Sequence, residues 1–142
     1  MILLDTNVVS EPLKASGDPN VLAWIDAQII ETLYLSTISL AELRFGIAVL
    51  PDGKRRETLH SSLERRVLPL FVGRILPFDD AASQAYATLR AVARAAGHAI
   101  APADGYIAAV AATHGFAVAT RDTSPFDAAN LSVINPWKWS AH

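Results

Sequence analysis

Four acidic residues stand where a binding site for a divalent cation could be built. Asp5 directly follows the apolar run "ILL" at the start of the chain, and Asp122 lies two residues beyond the run "AVAT". Glu42 follows the run "LYL" after a few residues, and Asp104 lies in the segment "APADGY". Carboxylate oxygens are the ligands that Mg²⁺ and Mn²⁺ prefer, so all four residues are candidate metal ligands.

The charge balance around these acids favours a cation. Two carboxylates about 4 Å apart repel each other by about 4 kcal/mol at an effective dielectric constant of about 20. Arg121 adjoins Asp122, but no Lys or Arg adjoins the other three acids. The chain has no Cys, and we expect its scattered histidines to be solvated or packed rather than to be ligands: His60, His98, His114 and His142. A hard divalent ion held by carboxylates suits phosphoryl transfer, because it activates water and neutralises charge on a phosphodiester.

Three of the acids also have a purely structural explanation. Glu42 and Ser39 fit an S-x-x-E capping box at a helix start. Asp104 could complement the dipole of a helix opened by the preceding proline. Asp122 could form an Asx turn ahead of the Ser-Pro pair that follows it. The metal-site hypothesis therefore depends on the four acids as a set.

Asp5 is the hardest acid to explain structurally. It could cap the segment that follows it, but Thr6 or Asn7 could do so without placing a carboxylate at the end of a strand. A strand end is a rigid position from which to aim a metal ligand. We therefore take Asp5 as the first residue of the predicted site.

Alternating strand and helix patterns position these acids. Runs of aliphatic and β-branched residues predict three buried strands, Ile2–Leu4, Leu33–Leu35 and Ala117–Thr120, and two weaker ones at 74–76 and 131–134. Periodic apolar residues and capping signals predict helices at about 18–30, 37–50, 53–68, 79–96 and 102–114. This alternation predicts an α/β fold with a central parallel sheet, in which ligands bind beyond the carboxyl ends of the strands.

Length and composition indicate the class of protein. A chain of 142 residues is expected to form a single domain, here with a short C-terminal tail from about residue 136. The absence of Cys, of a basic leader and of a long apolar run predicts a cytoplasmic protein without a membrane span. A hydrophobic content of 51% predicts oligomerisation or a partner that covers an apolar face. The net charge of −2 gives no general nucleic-acid signal, although five of the twelve Lys and Arg residues lie within 54–66.

Five segments in order, "MILLDTNVVSE", "STISLAELRFGI", "APADGYIAAVAATHG", "VATRD" and "INPW", resemble a PIN-domain ribonuclease, in particular a VapC or FitB-like toxin of a type II toxin–antitoxin pair. The resemblance implies a three-layer α/β/α sandwich with a central parallel sheet and an acidic pocket for Mg²⁺ or Mn²⁺. It implies that Asp5 and Asp104 coordinate the metal and that Glu42 acts through the metal or its water. Asp122 would contact the metal directly or through water.

The resemblance also implies supporting residues and partners. Thr120 would orient the pocket, and Asn7 would lie close to it. The expected reaction is cleavage of RNA phosphodiesters by metal-activated water. The expected partners are an RNA substrate, a second copy of the chain and a VapB or FitA-like antitoxin, through which DNA would be bound only indirectly. The antitoxin would occupy an apolar groove drawing on Val8, Val9, Leu13, Trp24, Leu40, Leu43, Phe45 and Ile47.

Two other functions remain open at the level of sequence. An aspartate after the first strand of an α/β fold also marks haloacid-dehalogenase-like phosphatases, in which Asp5 would attack a phosphomonoester. Those enzymes need a second Asp two residues later, where this chain has Asn7. The other possibility is a regulatory PIN-like domain that binds without catalysis.

Overall fold

The centre of the molecule is a five-stranded parallel sheet with the strand order β3-β2-β1-β4-β5. A computed structural model describes residues 1–140, so His142 lies outside the described residues. The strands are β1 (Ile2–Leu4), β2 (Leu33–Ser36), β3 (Ile75–Leu76), β4 (Ala117–Ala119) and β5 (Val133–Ile134). All five lie where the apolar runs of the sequence predict them.

Seven α-helices connect and flank the strands within residues 1–140. They are α1 (Thr6–Ser10), α2 (Pro19–Ala27), α3 (Thr37–Ala48), α4 (Lys54–Ser61), α5 (Asp80–Ala95), α6 (Pro102–His114) and α7 (Ser124–Ala128). The Asp18 carboxylate caps α2, and the Asp79 carboxylate caps α5 by accepting from the backbone N–H of Ala82 at 2.9 Å. Gly115 ends α6 in the left-handed conformation at φ 70°, which glycine adopts without strain. No helix in this part of the chain is long and apolar enough to cross a membrane.

Two predicted helices end differently from the expectation. The helix predicted to reach about residue 30 stops at Ala27, and a 3₁₀ turn at Ile30–Thr32 leads into β2. The helix predicted over 53–68 continues from α4 as a π-helical segment at Ser62–Val67 and a 3₁₀ turn at Leu68–Phe71. Leu63 of this segment has no exposed surface, and Leu59 and Val67 pack partly buried against the same core.

The C-terminal segment is folded, although the sequence suggests a tail there. Pro136–Lys138 forms a 3₁₀ turn whose Trp137 carbonyl accepts a hydrogen bond from Asn20 Nδ2 of α2 at 2.9 Å. Trp137 and Trp139 also pack against the hydrophobic core. Burial of these two large rings outweighs the cost of ordering a short segment.

The sheet separates two hydrophobic cores, which confirms the predicted α/β/α sandwich. Successive residues of a strand point to opposite faces, so Leu4 and Ala119 join one core while Leu3 and Val118 join the other. Helices α1, α2 and α3 supply the first core, and α5, α6 and α7 supply the second. The strands are therefore apolar on both faces, and polar side chains gather at the strand ends.

Candidate active site

The carboxyl ends of β1 and β4 meet at the topological switch point of the sheet. The chain adds strands on one side of β1 up to β3 and then returns to place β4 and β5 on the other side. The connections that leave β1 and β4 therefore depart in opposite directions, which opens a crevice between the two strand ends. Leu4 pairs with Ala119, so the residues that follow these strands face each other across the crevice.

Asp5 lies in this crevice with both carboxylate oxygens held. Its side chain is N-cap of α1, because Oδ1 accepts from the backbone N–H of Thr6 at 2.8 Å. The capping role predicted as an alternative is therefore present, and Asp5 rather than Thr6 or Asn7 fills it. Oδ2 accepts from the hydroxyl of Thr120 at 2.8 Å. Asp5 is only 6% exposed and Thr120 is fully buried, so this pair is fixed in the floor of the crevice.

Burial makes the Asp5 carboxylate costly to ionise. Loss of hydration raises its pKa from 3.8 to about 6, and the negative charges of Asp104 and Glu42 add to the rise. The hydrogen bonds from Thr120 and Thr6 act in the opposite direction and lower the pKa, but they do not offset the burial. The site therefore holds a carboxylate whose charge a nearby cation would stabilise.

Glu42 extends from the exposed side of α3 toward Asp5 and its neighbours. Thr6 Oγ1 donates to Glu42 Oε1 at 2.7 Å and lies 3.1 Å from Ser39 Oγ. The capping-box explanation of Glu42 is wrong, because the N-cap of α3 is Ser36, whose Oγ accepts from the backbone N–H of Ser39 at 3.0 Å. Strand β2 runs through Ser36, so α3 begins at Thr37 and Glu42 lies in its second turn.

Asp104 and Asp122 border the crevice from the second face of the sheet. Asp104 lies in the first turn of α6, where partial burial and the charges of Asp122 and Glu42 raise the pKa of its carboxyl. Asp122 is exposed, and its backbone N–H donates to Thr120 Oγ1 at 3.1 Å. No hydrogen bond from residues 1–140 reaches the Asp122 carboxylate, so the Asx-turn explanation is wrong.

The four acids influence one another electrostatically, but their side chains do not form a compact set of metal ligands. Within the described residues, no three acidic or histidine side chains are close enough to hold one ion in this arrangement. The donors themselves fit a hard divalent cation, since all four are carboxylates, and burial together with neighbouring negative charges raises the pKa of Asp5 and of Asp104. Glu42 and Asp122 are exposed, but Thr6 holds the Glu42 carboxylate by a hydrogen bond, whereas no hydrogen bond of the described residues holds the Asp122 carboxylate.

Asn7 connects the start of the chain to the loop that carries Asp122. Its side-chain Oδ1 accepts from the backbone N–H of Arg121 at 3.4 Å. The Arg121 guanidinium lies over the ring of Trp137, 5.3 Å from its centroid. Asn7 therefore supports the loop, and its carboxamide lies beside the crevice as expected.

Sequence reasoning missed a chain of hydroxyl groups that positions Glu42. Thr6, Ser39 and Ser36 follow one another at 3.1 and 3.4 Å between their side-chain oxygens. Ser36 and Ser39 are fully buried. The signal was present, because "DTN" places Thr6 next to Asp5 and "STIS" spaces two serines by three residues, which suits a cap and its first turn.

An apolar groove of about 940 Å³ adjoins the crevice between α1, α3 and α4. Thr6 and Glu42 line both the groove and the crevice. Apolar side chains and three cations complete the groove: Leu13, Leu43, Ile47, Leu50, Leu59, Lys14, Lys54 and Arg55.

The predicted groove residues are only partly correct. Leu13, Leu43 and Ile47 line the groove as expected. The other five do not line it: Val8, Val9, Trp24 and Leu40 are buried in the first core, and Phe45 is 68% exposed on α3. Periodicity cannot separate residues that line a groove from residues that fill the core beneath it.

Comparison with known proteins finds relatives that match the chain over nearly its whole length. The family model for the PIN domain matches residues 2–131. VapC ribonuclease Y4jK of Sinorhizobium fredii is 63% identical over 138 residues, covering 97% of this chain and 99% of that protein. Toxin FitB of Neisseria gonorrhoeae is 55% identical over 137 residues, covering 96% and 99%. The solved structure of FitAB bound to an IR36 DNA fragment contains a chain with a TM-score of 0.95 and 52% identity, covering 100% and 99%. The chain belongs to the PIN domain family, in the group that contains the VapC and FitB toxins.

Proposed function

We propose that the chain, acting as a single domain, is the toxin of a toxin–antitoxin pair and hydrolyses RNA phosphodiesters with Mg²⁺ or Mn²⁺. The observation that carries the proposal is the buried Asp5 carboxylate, held by Thr120 and Thr6 in a crevice that Glu42, Asp104 and Asp122 border. The name of the relative VapC ribonuclease Y4jK, which is 63% identical, supports RNA as the substrate class.

The residues of the chain would divide the work between them. Asp5, Asp104, Asp122 and Glu42 would hold the cation, which when bound lowers the pKa of water and neutralises charge on the phosphodiester. Thr120 holds one Asp5 oxygen by a hydrogen bond, so the carboxylate keeps a single side-chain conformation in the crevice. Thr6 holds Glu42 through its hydroxyl in the same manner. Asn7 and Arg121 keep the loop of Asp122 at the strand end.

The test is cleavage of an RNA of mixed sequence by wild type and by Asp5→Asn, with Mg²⁺, with Mn²⁺ and with EDTA. We expect cleavage only by wild type and only with a metal. The matched control is Glu31→Gln, which changes an exposed acid in the turn before the amino end of β2, at the edge of the sheet opposite to the crevice. This variant should cleave like wild type. Equal cleavage by wild type and Asp5→Asn in EDTA would contradict the proposal. A parallel assay on single-stranded DNA shows whether the protein cleaves RNA in preference to DNA.

The groove supports an antitoxin of the VapB or FitA kind as partner. An apolar segment would cover Leu13, Leu43 and Ile47, and a basic side chain at its end would reach the acids of the crevice. FitAB is bound to a DNA fragment in its solved structure. We propose that this chain contacts DNA only indirectly, through its antitoxin, and that it forms a homodimer or a toxin–antitoxin hetero-oligomer. Leu43→Arg should weaken antitoxin binding in a pull-down with purified antitoxin, and unchanged binding would reject the groove.

The two alternatives are weaker. Membership of the PIN domain family and Asn7 in place of a second aspartate disfavour a phosphatase. If the protein is a binding domain without catalytic activity, it should cleave no RNA with or without a metal. The RNA assay tests this alternative directly. A protein that hydrolysed a small aryl phosphate and left RNA intact would favour the phosphatase.

A further inference from the structure

A cluster of three aromatic rings and an arginine lies beside the acidic crevice and has no role in the chemistry described above. It consists of Phe78, Tyr86, Arg90 and Tyr106, which we name the aromatic platform. All four side chains are partly exposed. Phe78 packs on the second core, but among the described residues neither tyrosine belongs to that core. The two tyrosines therefore form a surface feature rather than an extension of the hydrophobic interior.

The ring of Tyr86 is fixed by its surroundings. It stacks on Tyr106 with ring centroids 4.7 Å apart and an interplanar angle of 23°. Arg90 Nη1 donates to the Tyr86 hydroxyl at 2.7 Å, and the guanidinium lies 5.4 Å from the ring centroid. A Cβ atom at Gly105 would lie only 2.9 Å from Tyr86 Cε2, so the ring rests directly against the backbone of α6. A rigid surface of this kind binds a ligand with little loss of side-chain entropy.

Tyr106 is partly exposed and contacts the two other rings of the platform. Tyr86 is its one parallel neighbour within residues 1–140, and Phe78 meets it at 70° with centroids 5.1 Å apart. No hydrogen bond of the described residues involves the Tyr106 hydroxyl. The ring thus offers a π surface and a free hydroxyl group at the same position. A flat, partly polar ligand could use both.

The position of the platform connects it with the crevice. Tyr106 follows Asp104 by two residues near the start of α6, so the two side chains leave the helix in different directions but from the same end of it. Phe78 lies two residues beyond β3, and its backbone N–H is 3.4 Å from Thr37 Oγ1 at the start of α3. The platform therefore lies at the carboxyl edge of the sheet, the same edge that carries the four acids.

We propose that the aromatic platform binds a nucleobase of the single-stranded RNA next to the cleaved bond, by stacking on Tyr106. This inference rests on the proposed ribonuclease function and deepens it. Proteins bind single-stranded RNA by stacking unpaired bases on aromatic side chains and by hydrogen bonds from hydroxyl groups to base edges and to the 2′-OH. Arg90 adds positive charge behind the stack, which favours a ligand that carries phosphates.

The test measures KM and kcat for RNA cleavage by Tyr106→Leu and Tyr106→Phe. Phe116→Leu is the matched control, because Phe116 forms an aromatic pair with Tyr34 next to the amino end of β4. We expect Tyr106→Leu to raise KM about 10-fold to 100-fold with a smaller effect on kcat. Tyr106→Phe keeps the ring and loses only the hydroxyl, so it should raise KM by less than Tyr106→Leu does, at most about 10-fold. Phe116→Leu should keep KM within about twofold of wild type. A wild-type KM for Tyr106→Leu would overturn the inference.

A second arm changes the RNA as well as the enzyme. A series of oligoribonucleotides, each with one abasic position around the cleaved bond, should contain one position that raises KM for wild type by the same factor as Tyr106→Leu. That position should raise KM no further when Tyr106→Leu is the enzyme, since the stacking partner is already lost. Independent, additive effects at every position would overturn the inference.

The outcomes separate this inference from the proposed function. If wild type cleaves no RNA, the ribonuclease function fails and this inference fails with it. If wild type cleaves RNA and neither Tyr106→Leu nor any abasic position changes KM, only the platform is rejected. If Tyr106→Leu instead changes self-association or antitoxin binding in size-exclusion chromatography, with KM for RNA unchanged, the platform is a protein contact and the inference is likewise rejected.

Discussion

Replacing Asp5 by Asn should abolish cleavage and, at neutral pH, stabilise the metal-free protein. The Asp5 carboxylate is buried, and burial raises its pKa from 3.8 to about 6. Asn has nearly the same shape but carries no charge to desolvate. Its Oδ1 can still accept from the backbone N–H of Thr6, and its amide can donate to Thr120 Oγ1. The substitution should therefore leave the packing almost unchanged and remove the free-energy cost of burying a charge.

The magnitude follows from the pKa. The folded protein binds the Asp5 proton more tightly than the unfolded chain does, so this group contributes stability that is present below about pH 3.8 and is lost as the pH rises through about 6. The full loss corresponds to about 3 kcal/mol. Asp5→Asn should therefore raise the free energy of unfolding by up to about 3 kcal/mol at pH 8 and by less than about 1 kcal/mol at pH 4. For a chain of this length, the change at pH 8 corresponds to roughly 10 °C in Tm.

The assay is unfolding by urea and by heat in EDTA between pH 4 and pH 8, at one fixed protein concentration. Glu31→Gln, an exposed carboxylate, should change the free energy of unfolding by less than about 0.5 kcal/mol at every pH. Adding Mg²⁺ or Mn²⁺ should raise the Tm of wild type and leave Asp5→Asn almost unaffected. An Asp5→Asn protein that is less stable than wild type at pH 8, or equally shifted at pH 4 and pH 8, would refute the reasoning.

Three further substitutions test the supports of the site. Thr120→Val removes the hydrogen bond to buried Asp5, so unfolding free energy should fall by about 1–3 kcal/mol and cleavage should drop; Thr120→Ser should recover both. Gly105→Ala forces a Cβ to 2.9 Å from the ring of Tyr86, so urea unfolding should show a loss of about 1–3 kcal/mol despite the better helix propensity of Ala. Ser36→Ala removes the cap of α3 and should cost about 1 kcal/mol in the same measurement, and no loss would show that Ser36 does not cap the helix.

The strands and most helix ends could be predicted from the sequence because their causes are local. Ile2–Leu4 and Ala117–Ala119 are short aliphatic runs that only a sheet covered on both faces buries completely. Asp79 and Gly115 mark helix ends through side-chain capping and backbone conformation, which depend on a few neighbouring residues. Asp5 and Asp122 could be placed near strand ends in the same way, because each follows a strand closely in the sequence, whereas the binding of a metal by the four acids stays a prediction.

The rest depended on contacts that the local sequence does not contain. The predicted helix start at residue 37 is confirmed, but the capping-box explanation of Ser39 and Glu42 is ruled out only by the structure, in which Ser36 pairs with Leu76 in the sheet and caps α3. The hydrogen bond from Thr120 to Asp5 joins residues 115 positions apart and exists because β4 pairs with β1 rather than with β3. Trp137 looked like part of a tail because its partner, Asn20, lies 117 residues away.

The pairing of β1 with β4 also has a consequence for the synthesis of the protein. Translation runs from the amino to the carboxyl end, so Asp5 leaves the ribosome 115 residues before Thr120, which completes the crevice. At about 5–20 residues per second, the nascent chain spends several seconds without an assembled crevice. A protein that attacks RNA would thus be made beside its own messenger and ribosome in a form that cannot yet cleave either. The order of the strands in the sheet therefore delays assembly of the crevice until β4 has been synthesised.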